Sequence, residues 1–276
     1  MPRSWPRWRE DTGPVQGERS SVSFAVMRPT VIVPVLYEEP LLERTLDRLS
    51  RLNGRVDLEV LVVVDVPDAG READARKVND PAAEATGARV LYRVGERGFG
   101  SALRYGFSQA SGDVLIPFMG DESDRAEDIP TMVHALEQGF DVVAGSRYMP
   151  GGETVGMTVK QRISHLYSIL VRLAGGLEIH DVSNAFRAYR REVVEAVATE
   201  ADSFDISVEL TVKAARDGFR LGEVPTRWTN REVGTSNFRF SKEIRNYWRW
   251  LMLAARSRFS SSRRAHRVVP GARGRS

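Results

Sequence analysis

Through its first half the chain alternates short β-branched runs with stretches that are apolar at helical spacing. Thr30–Val35 reads as a strand, and Glu39–Leu49, apolar at every third or fourth position, as the helix that follows it. Leu58–Val64 is a continuous apolar run ending at Asp65, the mark of a strand buried on both faces. Ala73–Gly87 predicts a helix, Ala88–Tyr92 a third strand, and Gly98-Phe99-Gly100-Ser101 the opening of a helix over Ala102–Ala110. Val114–Met119 is a fourth strand, Ala126–Gln138 a helix, and Asp141–Gly145 a fifth strand. Strands alternating with helices need crossover connections, so the expected fold is α/β with a mostly parallel central sheet and helices on both faces. Ligands of such sheets bind beyond the carboxyl ends of the strands, which singles out Glu38, Asp65, Asp121 and Arg147.

Beyond Arg147 the alternation stops. Lys160–Gly175 predicts a helix with Ile163, Leu166, Leu170 and Leu173 on one stripe. Arg190–Thr199 and Val208–Asp217 predict two more helices, and Arg220–Trp228 a strand. Lys242–Arg258 predicts an amphipathic helix in which Tyr247, Trp248 and Trp250 stand beside Arg245, Arg249 and Arg256, a composition suited to a lipid headgroup layer or to packing on the protein's own core or on a second subunit.

Composition narrows the class. With 276 residues, 42% hydrophobic and 28% charged, the chain can bury a sizeable core and is not of disordered or collagen-like type. It has no cysteine, which excludes disulfides, thiolate metal sites and cysteine nucleophiles, and only 4 histidines. The net charge of +3 is unevenly spread: residues 242–276 carry +9, residues 1–28 carry +2, and the middle is acidic at −8. An acidic middle argues against nucleic acid as a partner, while a basic, aromatic-bearing end suits an anionic membrane surface. No apolar run approaches the roughly 18 residues that span a bilayer, and residues 1–28 lack the apolar segment of a secretory signal.

Candidate chemistry lies at three places. Gly95-Glu96-Arg97-Gly98-Phe99-Gly100 has neither the position nor the spacing of a dinucleotide fingerprint, so its glycines are expected to serve a tight turn and close backbone approach. Asp121, Glu122 and Asp124 follow an apolar strand. Clustered carboxylates repel one another unless a hard cation sits among them, and Mg²⁺ binds one or two carboxylates together with substrate phosphates; an acidic helix start near Ala126 is the other reading. Arg147, Lys160, Arg187 and Arg231 form a basic set able to fork onto phosphate.

Six stretches in order carry a resemblance: Val31-Ile32-Val33-Pro34-Val35-Leu36-Tyr37-Glu38-Glu39, Gly98-Phe99-Gly100-Ser101-Ala102, Met119-Gly120-Asp121-Glu122-Ser123-Asp124, Gly145-Ser146-Arg147-Tyr148, Asp181 through Arg190, and Glu223-Val224-Pro225 with Arg231 and Gly234. Over Pro29 to about Phe240 the chain resembles the inverting family 2 glycosyltransferases of GT-A fold, and among them the polyprenol (dolichol) phosphate mannose synthases. It departs from their pattern at Tyr37, where they have Asn, at Val66 and Pro67 after Asp65, at Met119 in place of the first metal-motif Asp, and at Asn184-Ala185.

The resemblance implies a GT-A-like α/β fold and a nucleotide-sugar site (GDP- or UDP-linked) built from Pro34, Leu36, Glu38, Asp65, Met119, Gly120, Asp121, Ser123, Arg187 and Arg231. It implies Asp121 as metal ligand for Mg²⁺ or Mn²⁺, and Arg147, Lys160 and Ser164 at the acceptor phosphate, with Asp121, Arg147 and Arg231 closest to the chemistry. The expected reaction moves a mannose-like hexose to a polyprenyl phosphate with inversion. A hydroxyl acceptor would instead need a base from Asp121, Asp124 or Asp181, and a catalytically silent relative is the further alternative. A nucleotidyltransferase would carry a glycine-rich phosphate loop where Tyr37-Glu38-Glu39 stand. The expected organisation is a disordered leader (1–28), a catalytic domain (29–241), an amphipathic basic helix (242–259) and a disordered basic tail (260–276), the protein lying peripherally on the cytoplasmic face of the membrane through its C-terminal helix.

Overall fold

The computed structural model describes residues 27–37, 39–54, 56–230 and 240–265, with side chains in the last stretch from 244 to 258. The expected leader and most of the tail, together with Glu38, Arg231 and Gly234, lie outside the described residues. In chain order the elements are β1 (Pro29–Leu36), α1 (Leu42–Ser50), β2 (Glu59–Val66), α2 (Glu72–Thr86), β3 (Arg89–Val94), α3 (Phe99–Gln109), β4 (Val114–Pro117), α4 (Ile129–Glu137), β5 (Val142–Ser146), β6 (Glu153–Val155), α5 (Val159–Gly175), β7 (Arg187–Arg190), α6 (Arg191–Ala196), α7 (Ile206–Asp217), β8 (Leu221–Pro225), β9 (Arg227–Thr229) and α8 (Phe240–Ala265).

Seven strands form one sheet in the order β3-β2-β1-β4-β7-β5-β8. Pairing is parallel from β3 across to β4 and again between β5 and β8, while β7 runs antiparallel to both neighbours. Val31, Ile32, Val33, Leu61, Val62, Val63 and Val64 are all fully buried, as continuous apolar runs in a doubly covered sheet must be. Apolar layers lie on both faces: α1, α2 and α4 contribute to one, α3, α6, α7 and α8 to the other.

This order puts the binding crevice in a definite place. From β1 the chain steps outward to β2 and β3, then returns to lay β4 on the other side of β1. The loops leaving β1 and β4 therefore diverge, opening a gap at their carboxyl ends. Register carries β2 to the same edge, because Leu36 pairs with Asp65.

One strand went unread in the sequence, and one expected strand needs revision. Arg187–Arg190 is a strand inserted antiparallel between β4 and β5, although four residues with an arginine at each end give no alternation to read. The expected strand Arg220–Trp228 divides after Pro225: β8 stays in the main sheet, and β9 pairs with β6 in a separate ribbon.

The aromatic end is also reassigned in part. Trp250 is 2% exposed, its Nε1 donating to Asp205 Oδ2 at 2.7 Å. The half-buried Tyr247 accepts a 2.8 Å bond at its backbone oxygen from the Tyr167 hydroxyl. Of the three aromatics expected at a lipid layer, Trp248 alone is exposed, at 63%.

Candidate active site

The loop leaving β4 is shaped by a left-handed residue. Glu122 has φ 58°, a conformation that strains a residue with a Cβ, and its carboxylate is held outward by Arg44 Nη2 at 3.0 Å and Arg48 Nη1 at 3.7 Å. Glu122 thereby leaves the acidic cluster, and Asp121 and Asp124 remain inside it, 5% and 2% exposed. The Thr45 hydroxyl fixes the turn by donating to Gly120 O at 2.9 Å, and Asp121 Oδ1 accepts the Ser123 amide at 3.1 Å.

Asp124 is in an unusual position. Among the described residues neither of its oxygens has a hydrogen-bond partner of ordinary geometry, although the Met119 amide is near enough to favour the anion. Burial, and next the neighbouring Asp121, push its pKa up to about 7. A buried carboxyl beside a second carboxylate calls for either a proton or a cation. Mg²⁺ and Mn²⁺ suit such hard oxygen donors when waters and phosphates complete the coordination, so the residues present fit a divalent ion. Among the described residues no group of three or more His, Asp or Glu side chains gathers as a metal site.

At the end of β5 lies the basic half of the site. Arg147 forks onto Asp181 with Nε–Oδ2 at 2.7 Å and Nη2–Oδ1 at 3.1 Å, and its own amide donates to Oδ2 at 3.2 Å. Nη2 also reaches Ser183 Oγ at 3.0 Å and Ser164 Oγ at 3.4 Å. Three serine hydroxyls gather there: Ser183 Oγ lies 2.6 Å from Ser164 Oγ and 3.1 Å from Ser168 Oγ, while the Tyr148 hydroxyl is 3.4 Å from Ser164. Arg147 Nη1 makes no hydrogen bond with any described residue and keeps its donors for something else.

The Asp181 carboxyl is fully buried, which alone would raise its pKa, but Arg147 with its hydrogen bonds, aided by Arg187, holds it below the ordinary carboxylate value. That makes Asp181 a holder of Arg147 and a poor proton acceptor. Arg147 carries its charge firmly: burial works against it, yet Asp181 keeps its pKa above the usual arginine value. The Tyr148 ring lies 4.8 Å and the Trp228 ring 6.0 Å from its guanidinium carbon. Trp228 belongs to β9, and the next residue ties the two halves together, Thr229 N donating to Ser123 O at 3.0 Å.

Several expected site residues have other duties. Arg187 is 0% exposed, and its guanidinium is consumed by Asn184 O at 2.8 Å, Thr211 Oγ1 at 2.9 Å and Asp181 O at 2.5 Å. It cannot reach a donor diphosphate; it clamps the loop that presents Asp181 and Ser183. Asp65 is also engaged, its Oδ1 with Arg93 Nε at 2.7 Å and its Oδ2 with the Gly98 amide at 3.1 Å. Burial raises the Asp65 pKa and the Arg93 pair restrains the rise.

The turn that Asp65 holds explains the glycines. Gly98 has φ +133°, and a Cβ on Gly100 would lie 2.1 Å from Ala201 O, so the glycine turn serves backbone approach within the chain. Pro34 is half-buried and Leu36 is 38% exposed at the mouth of β1, beside Tyr37 at φ 62°. Met119 is half-buried, Gly120 and Ser123 are buried, and Lys160 is exposed in the first turn of α5. Ser183, Tyr148 and Trp228 went unassigned from sequence. Asp181-Val182-Ser183-Asn184 held the one available signal: Asp181 Oδ1 accepts the amides of Ser183 and Asn184 at 3.2 Å and 3.0 Å, an Asx-type turn.

Known proteins similar to this chain identify its family and fold. Residues 30–198 match the family described as Glycosyl transferase family 2. The chain is 34% identical to the undecaprenyl-phosphate mannosyltransferase of Micrococcus luteus, over 83% of this chain and 96% of that one. It is 32% identical to the polyprenol monophosphomannose synthase of Mycolicibacterium smegmatis, covering 80% and 88%. Among solved structures, glucosyl-3-phosphoglycerate synthase from Mycobacterium tuberculosis, in complex with Mn²⁺, uridine-diphosphate and phosphoglyceric acid, superposes with a TM-score of 0.61 at 16% identity, covering 89% of this chain and 80% of that one. At that identity the likeness concerns the fold.

Proposed function

The chain belongs to glycosyl transferase family 2, a family of sugar-transferring enzymes, and from that premise we infer that it moves a mannose-like hexose from a GDP- or UDP-linked donor to a polyprenyl phosphate. One observation carries the acceptor assignment. Arg147 is held rigid by Asp181 while its Nη1 has no hydrogen-bond partner among the described residues, and the Ser164 and Ser183 hydroxyls converge beside it. Fixed cationic and hydroxyl donors suit a phosphate monoester, and Lys160 in the first turn of α5 adds a second cation.

The reaction on this reading is a direct displacement. An anionic oxygen of the lipid phosphate attacks the anomeric carbon, a new C–O bond forms as the bond to the diphosphate breaks, and the electron pair leaves with the nucleoside diphosphate. The anomeric configuration inverts. Because the attacking phosphate is already ionised near neutral pH, no side chain needs to remove a proton, and Arg147 with Ser164 and Ser183 orients it. Asp121 is the expected ligand for the divalent ion, with Asp124 beside it; when bound, that ion neutralises charge on the leaving diphosphate. Pro34 and Leu36 at the mouth of β1 are assigned to the nucleoside together with Glu38, and Arg231 to the donor diphosphate.

A hydroxyl acceptor is favoured by one feature alone, the Asp124 carboxyl with its pKa near 7, which has the basicity of a proton acceptor. The test separates the readings. Purified protein is incubated with labelled nucleotide sugars, polyprenyl phosphate and Mg²⁺, and label is sought in the organic phase. Label extractable only when the lipid phosphate is present supports the assignment; no such product from any common donor overturns it. Among the described residues no helix is long and apolar enough to cross a membrane.

A further inference from the structure

The proposed reaction gives no part to Glu223, the first residue of the Glu223-Val224-Pro225 motif. Glu223 stands on β8 beside Ala144 of β5. Its neighbour Val224 packs in the apolar layer of α1, α2 and α4, so by strand alternation Glu223 points into the opposite layer. Ile179 and Val182 pack there, from the segment between α5 and β7. Only 1% of the Glu223 side chain is exposed, and an acid so placed needs donors.

Both donors come from one residue. Glu223 Oε2 accepts the His180 amide at 2.7 Å, and Oε1 meets Nδ1 of the His180 ring. A carboxylate oxygen accepts, so the ring donates from Nδ1. Backbone and side chain of His180 are thus gripped by the two oxygens of one buried side chain.

His180 directly precedes Asp181, the carboxylate that forks onto Arg147. Arg187 holds the same turn from its other side, through Asp181 O at 2.5 Å and Asn184 O at 2.8 Å. Two further bonds tie it after Asp181: Ser168 Oγ accepts the Val182 amide at 3.3 Å, and Asn184 Nδ2 donates to Gly145 O at 2.8 Å. Before Asp181, the hold on the turn at His180 is Glu223. With the turn fixed on both sides, the Asp181 carboxylate is presented at one angle, and the guanidinium it grips follows.

We propose that Glu223 is a positioning residue for the acceptor phosphate, acting through His180 and Asp181 on the direction of the Arg147 guanidinium. Its effect on transfer rests on the reading of Arg147 as the acceptor-phosphate contact; its effect on the placement of Arg147 does not.

Glu223→Ala removes both acceptors, whereas Glu223→Gln keeps an amide oxygen for the His180 N–H. The first measurement needs no substrate. Side-chain Nε–H resonances are recorded on full-length protein with isotope-labelled arginine, the Arg147 signal being identified by its loss in Arg147→Lys. Glu223→Ala should move or broaden that signal, and Glu223→Gln should leave it near its wild-type position. The signal of Arg93, whose Nε donates to Asp65 at 2.7 Å in the other half of the molecule, should stay in place. An Arg147 signal unmoved in Glu223→Ala, or an Arg93 signal that moves equally, overturns the proposal. Should Glu223→Ala fail to fold, His180→Ala, which removes the ring and keeps the backbone bond, is judged by the same two signals.

The second measurement is transfer to polyprenyl phosphate. Glu223→Ala should raise KM for the lipid phosphate about tenfold or more and Glu223→Gln less than about threefold, with KM for the nucleotide sugar unchanged. In an Arg147→Lys background the alanine substitution should add little, because the group it aims is gone. Fully additive losses, or an equal rise in both KM values, would make Glu223 a general support of the fold and overturn the proposal. A wild-type protein that forms no lipid-phosphate product overturns the acceptor reading, and the resonance of Arg147 still decides the role of Glu223.

Discussion

Arg147 and Asp181 form a two-point pair in the interior, Nε to Oδ2 at 2.7 Å and Nη2 to Oδ1 at 3.1 Å, with Arg147 9% and Asp181 0% exposed. The carboxylate is satisfied further by the amides of Ser183 and Asn184. A pair buried this way fixes geometry more than it adds stability, because desolvation offsets much of the attraction. Its consequence is a guanidinium presented at one angle, with Nη1 left without a hydrogen bond among the described residues.

Breaking the pair is expected to be severe. Asp181→Asn leaves Arg147 buried and uncompensated, and should cost about 3 kcal/mol or more, read from urea unfolding. Arg147→Lys keeps a charge but loses the fork; it should unfold near the wild-type midpoint while product formation with lipid phosphate falls by about tenfold or more.

The same pair sets an acid limit. The folded pKa of Asp181 is below its ordinary value, so its contribution is fully present above the unfolded carboxylate pKa and is lost as pH falls through the folded one. Thermal melts from neutral pH downward should show the wild type losing stability below about pH 4. Asp181→Asn should have a flatter profile there.

Asp124 has the opposite sign. Its folded pKa is raised to about 7, so its contribution is present below the unfolded value and lost as pH rises through about 7. Asp124→Asn should stabilise the metal-free protein at pH 8 by on the order of 2 kcal/mol relative to its effect at pH 4. Mg²⁺ with a nucleoside diphosphate should raise the melting temperature of the wild type more than that of the variant. An unchanged ligand-induced shift would remove Asp124 from the metal site.

The glycine turn before α3 predicts a steric effect. In Gly100→Ala the new Cβ would meet Ala201 O at 2.1 Å, a backbone atom that cannot rotate away. Differential scanning calorimetry should show a loss of about 2–3 kcal/mol.

The two C-terminal tryptophans should separate cleanly. Trp250→Ala empties a core position and strands Asp205, costing about 3–5 kcal/mol. Trp248→Ala should change stability by less than about 0.5 kcal/mol. Guanidinium melts of the two variants compare them directly.

Much of this molecule follows from its primary structure. Continuous runs such as Val31-Ile32-Val33 and Leu61–Val64 can be satisfied only by strands covered on both faces, so the alternating α/β order and the carboxyl-edge residues Asp65, Asp121 and Arg147 are legible from pattern alone. Family motifs, being local in sequence, are legible too.

What periodicity cannot encode is which neighbour a face or a charge will meet. The stripe Ile163, Leu166, Leu170 and Leu173 has the spacing of a core helix, and only the assembled sheet shows it turned outward. Arg187 and Arg147 are alike as letters; one ends sealed on Asn184, Thr211 and Asp181 backbone or hydroxyl oxygens, the other keeps a donor at the site. Asp121, Glu122 and Asp124 are one acidic run until a left-handed turn sends the middle one to Arg44. Local sequence determines the elements because their hydrogen bonds and side-chain spacing are local. Burial, ion pairing and pKa are set by contacts between residues distant in the chain, and those exist only once the fold has brought them together.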